Sequence, residues 1–210
     1  MARDPQSDPT TVTDPLQLFD AWLAQAAETE PNDPNAAALA TATLAAATLA
    51  AAPSVRMVLV KQIGDLRFCV FTNAEGRKGR ELAQNPQAAL CFHWKSLRRQ
   101  VRVEGPITPL PAAASDAYFH SRSRASQIGA NVSQQSRPLA SRELLEAQVQ
   151  QFTQSLPNPE TSQIPRPTYW QGYELTPKSI EFWQDGPARL HDRFLFTKTE
   201  ADWQKSRLYP

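Results

Sequence analysis

The sequence is poor in cysteine, glycine and histidine, and it carries no surplus of charge. Two cysteines in 210 residues, Cys69 and Cys91, offer neither a disulfide framework nor a C-x-x-C metal motif. Each lies in an apolar, strand-like run and reads as a small buried hydrophobe in a reducing compartment. The seven glycines form no GxGxxG and no Walker A pattern, which excludes the common Gly-rich phosphate cradles. No HExxH, no G-x-S-x-G elbow and no metal spacing among His93, His120 and His191 appear, so the zincin and serine-hydrolase chemistries drop out. A net charge of +1 argues against a general nucleic-acid or membrane surface. The one long apolar stretch, the Ala-rich residues 36–52, is broken by threonines and too weakly hydrophobic to span a bilayer. "MARDPQSDPTTVTDP" has no apolar h-region, so no secretory signal is expected and the expected compartment is the cytoplasm.

What is present is an ordinary globular composition, 41% hydrophobic and 20% charged, with enough chain for one substantial core. Residues 1–13 are polar and rich in Pro, Asp and Thr, and read as a mobile tail before a single domain over 14–210. "DPLQLFDAWLAQAAE" predicts a helix capped by Asp14 with Pro15 at its first position, burying Leu16, Phe19, Trp22 and Leu23. In the Ala-rich segment propensity favours helix, while Thr41, Thr43 and Thr48 favour strand, and the conflict stays open on residue type alone. "VRMVLVKQI" predicts one strand, with Met57, Leu59 and Lys61 on one face and Arg56, Val58 and Val60 on the other. "GDLRFCVFTN", "QAALCFHW" and "RRQVRVEGPITPL" predict further strands, and "EGRKGRELAQNP" a short helix between them. "AAASDAYFHSR", with Ser115 and Asp116 as caps, and "SRELLEAQVQQFTQ" predict two more helices. "YWQGYELTPKSIEFWQ" and "RLHDRFLFTK" close the chain as strands. Short strands with interspersed helices predict an α+β domain built on an antiparallel barrel.

Several polar clusters stand out, and each has two readings. In "RLHDRF", strand alternation puts Arg189, His191 and Arg193 on one face, either solvated or gripping an anion. Arg77 and Lys78 sit at a predicted helix start, where acidic residues are the rule; they form either an exposed basic turn or an anion site. Lys61 ends an apolar strand, as a snorkelling residue or a phosphate clamp. Tyr118, Arg122 and Ser126 recur at a spacing of four and share a face if the helix continues, with donors suited to a phosphate or carboxylate. Gln135 and Ser136 lie in a polar loop. Several separate cationic grips in a near-neutral chain point to a ligand with more than one phosphate, or to two phosphorylated ligands.

The stretches "RMVLVK", "FTNAEGRKGREL", "RRQVRVEG", "SDAYFHSRSRASQIGA", "VSQQSRP", "IEFWQDGPARLHDRF" and the terminal "RLYP" together resemble the pyridoxine/pyridoxamine 5′-phosphate oxidase family, in order from about Asp14 to Pro210. The resemblance implies a Greek-key split β-barrel with flanking helices that binds FMN at the interface of a homodimer. It implies oxidation of pyridoxamine or pyridoxine 5′-phosphate to pyridoxal 5′-phosphate, with O2 as acceptor and H2O2 as product, and no metal. Carried over by position, the run Arg56, Met57, Val58, Leu59, Val60 and Lys61 belongs to the FMN set, with Phe71, Thr72, Arg77, Lys78, Gln100, Gln135, Ser136, Trp183 and Arg193. Lys61, Tyr118, Arg122, Ser126, Arg189 and His191 belong to the substrate set, with Arg189 and His191 at the reacting carbon. The chain departs from the family pattern at "PNAAALAT", where the resemblance implies strand, and at Phe71, where a Tyr is common. A non-catalytic flavin or pyridoxal-phosphate carrier, or another flavin oxidoreductase, on the same barrel is the alternative; a complete second grip argues for the oxidase.

Overall fold

The computed structural model describes residues 7–43 and 52–210. Helix α1 (Pro15–Thr29) begins as its residues dictate: the Asp14 carboxylate accepts from the Leu16 N–H at 2.8 Å, and Pro15 needs no donor there. Leu18, Phe19, Trp22 and Ala26 are buried, with Leu16 and Leu23 packed against the same core. Phe19 meets Phe68 and Phe92 edge-on at 4.9 and 5.0 Å, and Trp22 meets Phe182 at 5.2 Å, so the helix plugs the sheet.

The strands are β1 (Ala36–Ala42), β2 (Pro53–Leu59), β3 (Lys61–Ile63), β4 (Leu66–Asn73), β5 (Gln87–Trp94), β6 (Arg99–Pro109), β7 (Trp170–Leu175), β8 (Ser179–Gln184), β9 (Asp192–Lys198) and β10 (Trp203–Arg207). All described pairings are antiparallel, in the order β10-β9-β8-β6-β5-β1-β2, with β7, β4 and β3 branching from β6. The long strand β6 makes the curl. Its residues 99–104 pair with β8, while Ile107–Pro109 pair with β7. Gly105 sits at the changeover, where a Cβ would lie 2.1 Å from the Thr176 carbonyl oxygen, so only glycine fits. Val101, Val103 and Ile107 alternate into a core shared with Leu39, Phe92, Ile180 and Phe196. Around this sheet lie α2 (Arg77–Gln84), α3 (Ala112–Ser121), α4 (Arg124–Val132) and α5 (Arg142–Ser155). The architecture is the expected α+β split β-barrel with flanking helices.

Residues 36–42 form a strand between β2 and β5, as the resemblance implies, because tertiary pairing on both sides outweighs alanine's helix propensity; Thr48 lies outside the described residues. Several other local expectations are corrected. "VRMVLVKQI" is two strands, interrupted at Val60, whose N–H turns to the Asn35 carbonyl at 2.9 Å. Helix α3 starts after Pro111, and Ser115 is no cap: it is fully buried inside the helix, accepting from the Gly172 N–H at 3.0 Å. The helix stops at Arg122, and Ser123 caps a new one through the Ser126 N–H, so Tyr118, Arg122 and Ser126 do not share one helical face. "RLHDRF" is not one strand either. Pro187–Arg189 form a 3-10 turn in which Ala188 and Arg189 take φ of 53° and 63°, and β9 begins only at Asp192. The tail expected over 1–13 is tied down from residue 7 onward. Trp22 Nε1 donates to the Ser7 carbonyl at 2.9 Å, and Lys205 Nζ donates to the carbonyls of Pro9, Thr10 and Val12. Residues 1–6 lie outside the described part.

Candidate active site

Helix α2 opens on two cations, Arg77 and Lys78, after an N-cap glycine that offers no side-chain cap. Free N–H groups and basic side chains therefore converge where the helix dipole is positive, an arrangement that favours an anion. A Cβ on Gly76 would approach Gln135 Oε1 to 2.9 Å, so glycine lets that loop close over the helix end. Lys78 Nζ donates to Thr72 Oγ1 at 3.0 Å and to Gln135 Oε1 at 2.6 Å, and Thr72 Oγ1 donates in turn to Gln135 Oε1 at 3.0 Å. Burial, and then the charge of Arg56, push the Lys78 amine below its ordinary pKa, while Glu81 opposes them. From β2, Arg56 reaches Thr41 Oγ1 and Ser54 Oγ, both at 2.6 Å, and Glu81 Oε2 at 3.1 Å. Arg77 Nε donates to Glu81 Oε1 at 2.9 Å.

Of these groups Arg56, Thr72, Lys78 and Gln135 border a cavity of about 330 Å³, within the range of small-ligand sites. One wall is the β2 run Arg56–Leu59, followed by Lys61; the others carry Phe71, Thr72, Lys78, Tyr118, Arg122, Gln135 and Trp170. In the described sheet β2 pairs only with β1, so its outer edge keeps backbone groups free for a ligand. Phe71 stacks on Tyr118 at 4.0 Å and on Trp170 at 5.3 Å, making a three-ring slab. The Arg122 guanidinium lies 5.0 Å over Trp170. Its Nη1 is buried and has no hydrogen-bond partner among the described residues. Burial lowers the pKa of Arg122 and raises that of Tyr118, and each group's partial charge opposes the shift of the other. A second compartment of about 320 Å³ shares the wall of Phe71, Thr72, Arg122, Gln135 and Trp170 and adds Ser126. Ser126 thus joins Arg122 through the cavity and not through a common helix face.

The remaining expected residues lie elsewhere on the chain. Trp183, Arg189 and His191 line an open depression of about 860 Å³ with Arg98 and Asp185. His191 Nδ1 lies 3.2 Å from both the Gly186 N–H and Asp185 Oδ1, and its ring is 4.6 Å from that of Trp183. Gln100 is the β6 register partner of Trp183, which also faces Arg193 across β8 and β9. Arg193 donates to buried Glu181 and to the Tyr209 carbonyl, both at 2.8 Å. Val60 is buried; Val60, Arg77, Gln100 and Arg193 line none of these cavities, and Ser136, with φ of 69°, borders a separate groove. The depression shares no lining residue with the first cavity. Strands β2 and β9 are separated in the sheet by four strands, roughly 24 Å along its curve. The expected residues thus fall at two separate places on one chain. Two residues escaped the sequence reading. Trp170 completes the aromatic slab. Glu81 was legible only as the i,i+4 partner of Arg77.

The family model described as "Pyridoxamine 5′-phosphate oxidase" matches residues 23–155, more than half of the chain. The chain belongs to this family. The model of the "Pyridoxine 5′-phosphate oxidase C-terminal dimerisation region" matches residues 170–210, the stretch that carries Trp183, Arg189 and His191. Curated relatives named pyridoxine/pyridoxamine 5′-phosphate oxidase, from Brucella canis and Brucella abortus, are 52% identical over 205 residues, covering 97% of this chain and of each relative. The chain is an oxidase on that evidence. Among solved structures, PhzG from Burkholderia lata 383, in complex with tetrahydrophenazine-1-carboxylic acid, matches with a TM-score of 0.85 at 30% identity, covering 100% of this chain and 98% of that one. An FMN-binding, pyridoxamine 5′-phosphate oxidase-related protein from Nostoc punctiforme shares the fold, with a TM-score of 0.74 at 17% identity over 95% of this chain and 100% of that one. Among the described residues of the oxidase, no group of His, Cys, Asp and Glu is suited to a metal, and no helix is long and apolar enough to cross a membrane.

Proposed function

We propose that this oxidase converts pyridoxamine and pyridoxine 5′-phosphate to pyridoxal 5′-phosphate, using FMN as cofactor and O2 as acceptor and releasing H2O2. The observation that carries the reading is the pairing of two cationic grips along two adjoining compartments that share an aromatic wall. One grip is Arg56 from β2 and Lys78 from α2, with Arg77 beside them at the helix start; the other is Lys61 and Arg122 with Tyr118, and Ser126 in the second compartment. A buried guanidinium nitrogen without a partner costs about 1–3 kcal/mol, so Arg122 Nη1 marks a place kept for a ligand. The residues present fit FMN. The first grip supplies cations and helix N–H groups for a phosphate, and the free edge of β2 supplies backbone partners for a ring system.

FMN, when bound, supplies the electron-pair acceptor for oxidation of the substrate carbon. The protein's part is binding, orientation and charge. Arg122 and Lys61 hold the substrate phosphate, with Tyr118 and Ser126 donating hydroxyl hydrogen bonds. The slab of Phe71, Tyr118 and Trp170 covers the cavity wall and excludes water. Arg189 and His191 present a cation and an imidazole to the reacting end of the substrate. Because they line the separate depression, on this reading the complete centre needs a second copy of the chain. The homodimer reading draws further support from β2, where Val55, Met57 and Leu59 are exposed large hydrophobics on one strand. The protein acts in the cytoplasm as this dimer, with FMN between the subunits.

The test is peroxide formation by purified protein supplied with pyridoxamine 5′-phosphate or with unphosphorylated pyridoxamine, after acid release and identification of the flavin. The expected result is FMN in the supernatant and peroxide from the phosphorylated substrate alone. Protein that binds FMN yet produces no peroxide from pyridoxamine 5′-phosphate would instead be a carrier.

A further inference from the structure

Glu81 lines none of the cavities, yet it is a carboxylate only 3% exposed, at a heavy desolvation cost. Both of its oxygens are engaged. Oε1 accepts from Arg77 Nε at 2.9 Å; Oε2 accepts from Thr41 Oγ1 at 2.5 Å, Ser54 Oγ at 2.7 Å and Arg56 Nη2 at 3.1 Å. Thr41 and Ser54 each accept from Arg56 as well, so the network closes on itself. Burial pushes the Glu81 carboxyl upward, but these four hydrogen bonds more than reverse it and leave the pKa at about 2.

We infer that Glu81 is a positioning residue: it fixes the Arg56 and Arg77 guanidinium groups in place to receive the phosphomonoester of the flavin. The inference rests on the FMN reading above and deepens it. Arg77 spends its Nε on Glu81, and no described residue accepts from its Nη1 or Nη2. The side chain is 58% exposed, so those two donors stand free at the helix start. The same carboxylate offsets the mutual repulsion of Arg56, Arg77 and Lys78, which would otherwise drive the cations apart in the unliganded protein. Three cations against one carboxylate leave a surplus of two positive charges, the complement of a phosphomonoester dianion. Glu81 engages Arg77 through Nε alone, so it leaves the terminal donors of Arg77 free, while Arg56 is held by Glu81, Thr41, Ser54 and the Leu39 carbonyl. The arginines are thus oriented before the phosphate arrives, and less ordering cost falls on binding.

The experiment compares FMN with riboflavin, which has the same ring but no phosphate, by titrating apoprotein and following flavin fluorescence. Wild-type protein is expected to prefer FMN strongly. In Glu81→Gln, an amide nitrogen faces donors, one guanidinium loses its anchor, and FMN affinity falls by about tenfold or more while riboflavin affinity stays as in wild type. Arg77→Lys is the second variant, at an exposed side chain that tolerates change. Lysine keeps the charge but lacks the planar fork that reaches Glu81 through Nε and leaves two terminal nitrogens for a phosphate, so the FMN preference should fall there too. Equal loss of both flavins in Glu81→Gln, FMN binding unchanged or tightened in it, or a full FMN preference in Arg77→Lys would each overturn the inference. Wild-type protein that binds neither flavin, or both alike, would instead overturn the FMN reading on which it rests.

Discussion

Arg122 allows a prediction in which stability and binding move in different directions. In the free protein its guanidinium lies 5.0 Å over Trp170 and 5.9 Å from the Phe119 ring centre, with Nη1 buried and unpartnered among the described residues. Arg122→Met keeps an unbranched, polarizable stem against those rings and removes the charge. Relief of the unpaired donor is worth about 1–3 kcal/mol, and loss of the cation–π contact costs about 0.5–2 kcal/mol. The net change in the substrate-free protein is then near zero or stabilising by about 1 kcal/mol, a rise in Tm of at most about 2–4 °C. With substrate the sign reverses. Loss of a charged partner for the phosphate removes about 1.5–3 kcal/mol, which is about a 10- to 150-fold rise in KM for pyridoxamine 5′-phosphate. Differential scanning calorimetry without substrate and steady-state peroxide assays with it measure the two halves. A lowered Tm together with an unchanged KM would refute the reasoning, since Arg122 would then be a packing residue.

Glu81 also governs acid stability. Its carboxyl falls from an ordinary 4.5 to about 2 on folding, so its contribution, up to about 3 kcal/mol, is complete above the unfolded pKa and is lost as pH falls toward about 2. Denaturant unfolding should show a gap between wild type and Glu81→Gln that narrows from about pH 5 downward; a gap independent of pH contradicts this. Gly79→Ala should destabilise α2 despite alanine's better helix propensity, because its Cβ would meet the Ala74 carbonyl oxygen at 2.1 Å; an unchanged Tm argues against that contact. Met57→Asp, on the exposed apolar face of β2, should shift sedimentation from dimer to monomer and abolish turnover. A fully active monomer would end the shared-site reading.

The barrel was legible because its strands obey simple alternation. Residues 87–94 and 99–109 were bounded closely by their β-branched and aromatic runs, and α1 by Asp14 and Pro15. The Ala-rich strand was not, since alanine gains there only from pairing on both sides. The turn in "RLHDRF" was hidden because Ala188 and Arg189 adopt a left-handed backbone that neither residue type announces. The break between α3 and α4 had a local sign that went unused: Ser123 stands three residues before Ser126 as a cap. The candidate site residues stood out by type but not as a place. Sequence order cannot tell that Lys61, Tyr118 and Arg122 meet in one cavity while Arg189 and His191 sit in another. That division is made by long-range pairing through β6 and β8. Glu81 was passed over because its partners Thr41, Ser54 and Arg56 come from remote strands.

The most direct test of the account is anaerobic mixing of the purified protein, supplied with FMN, with pyridoxamine 5′-phosphate while flavin absorbance is followed. The account predicts that the oxidised flavin band bleaches on mixing and returns when O2 is admitted. A band that stays unchanged, in protein shown to contain FMN, would contradict it.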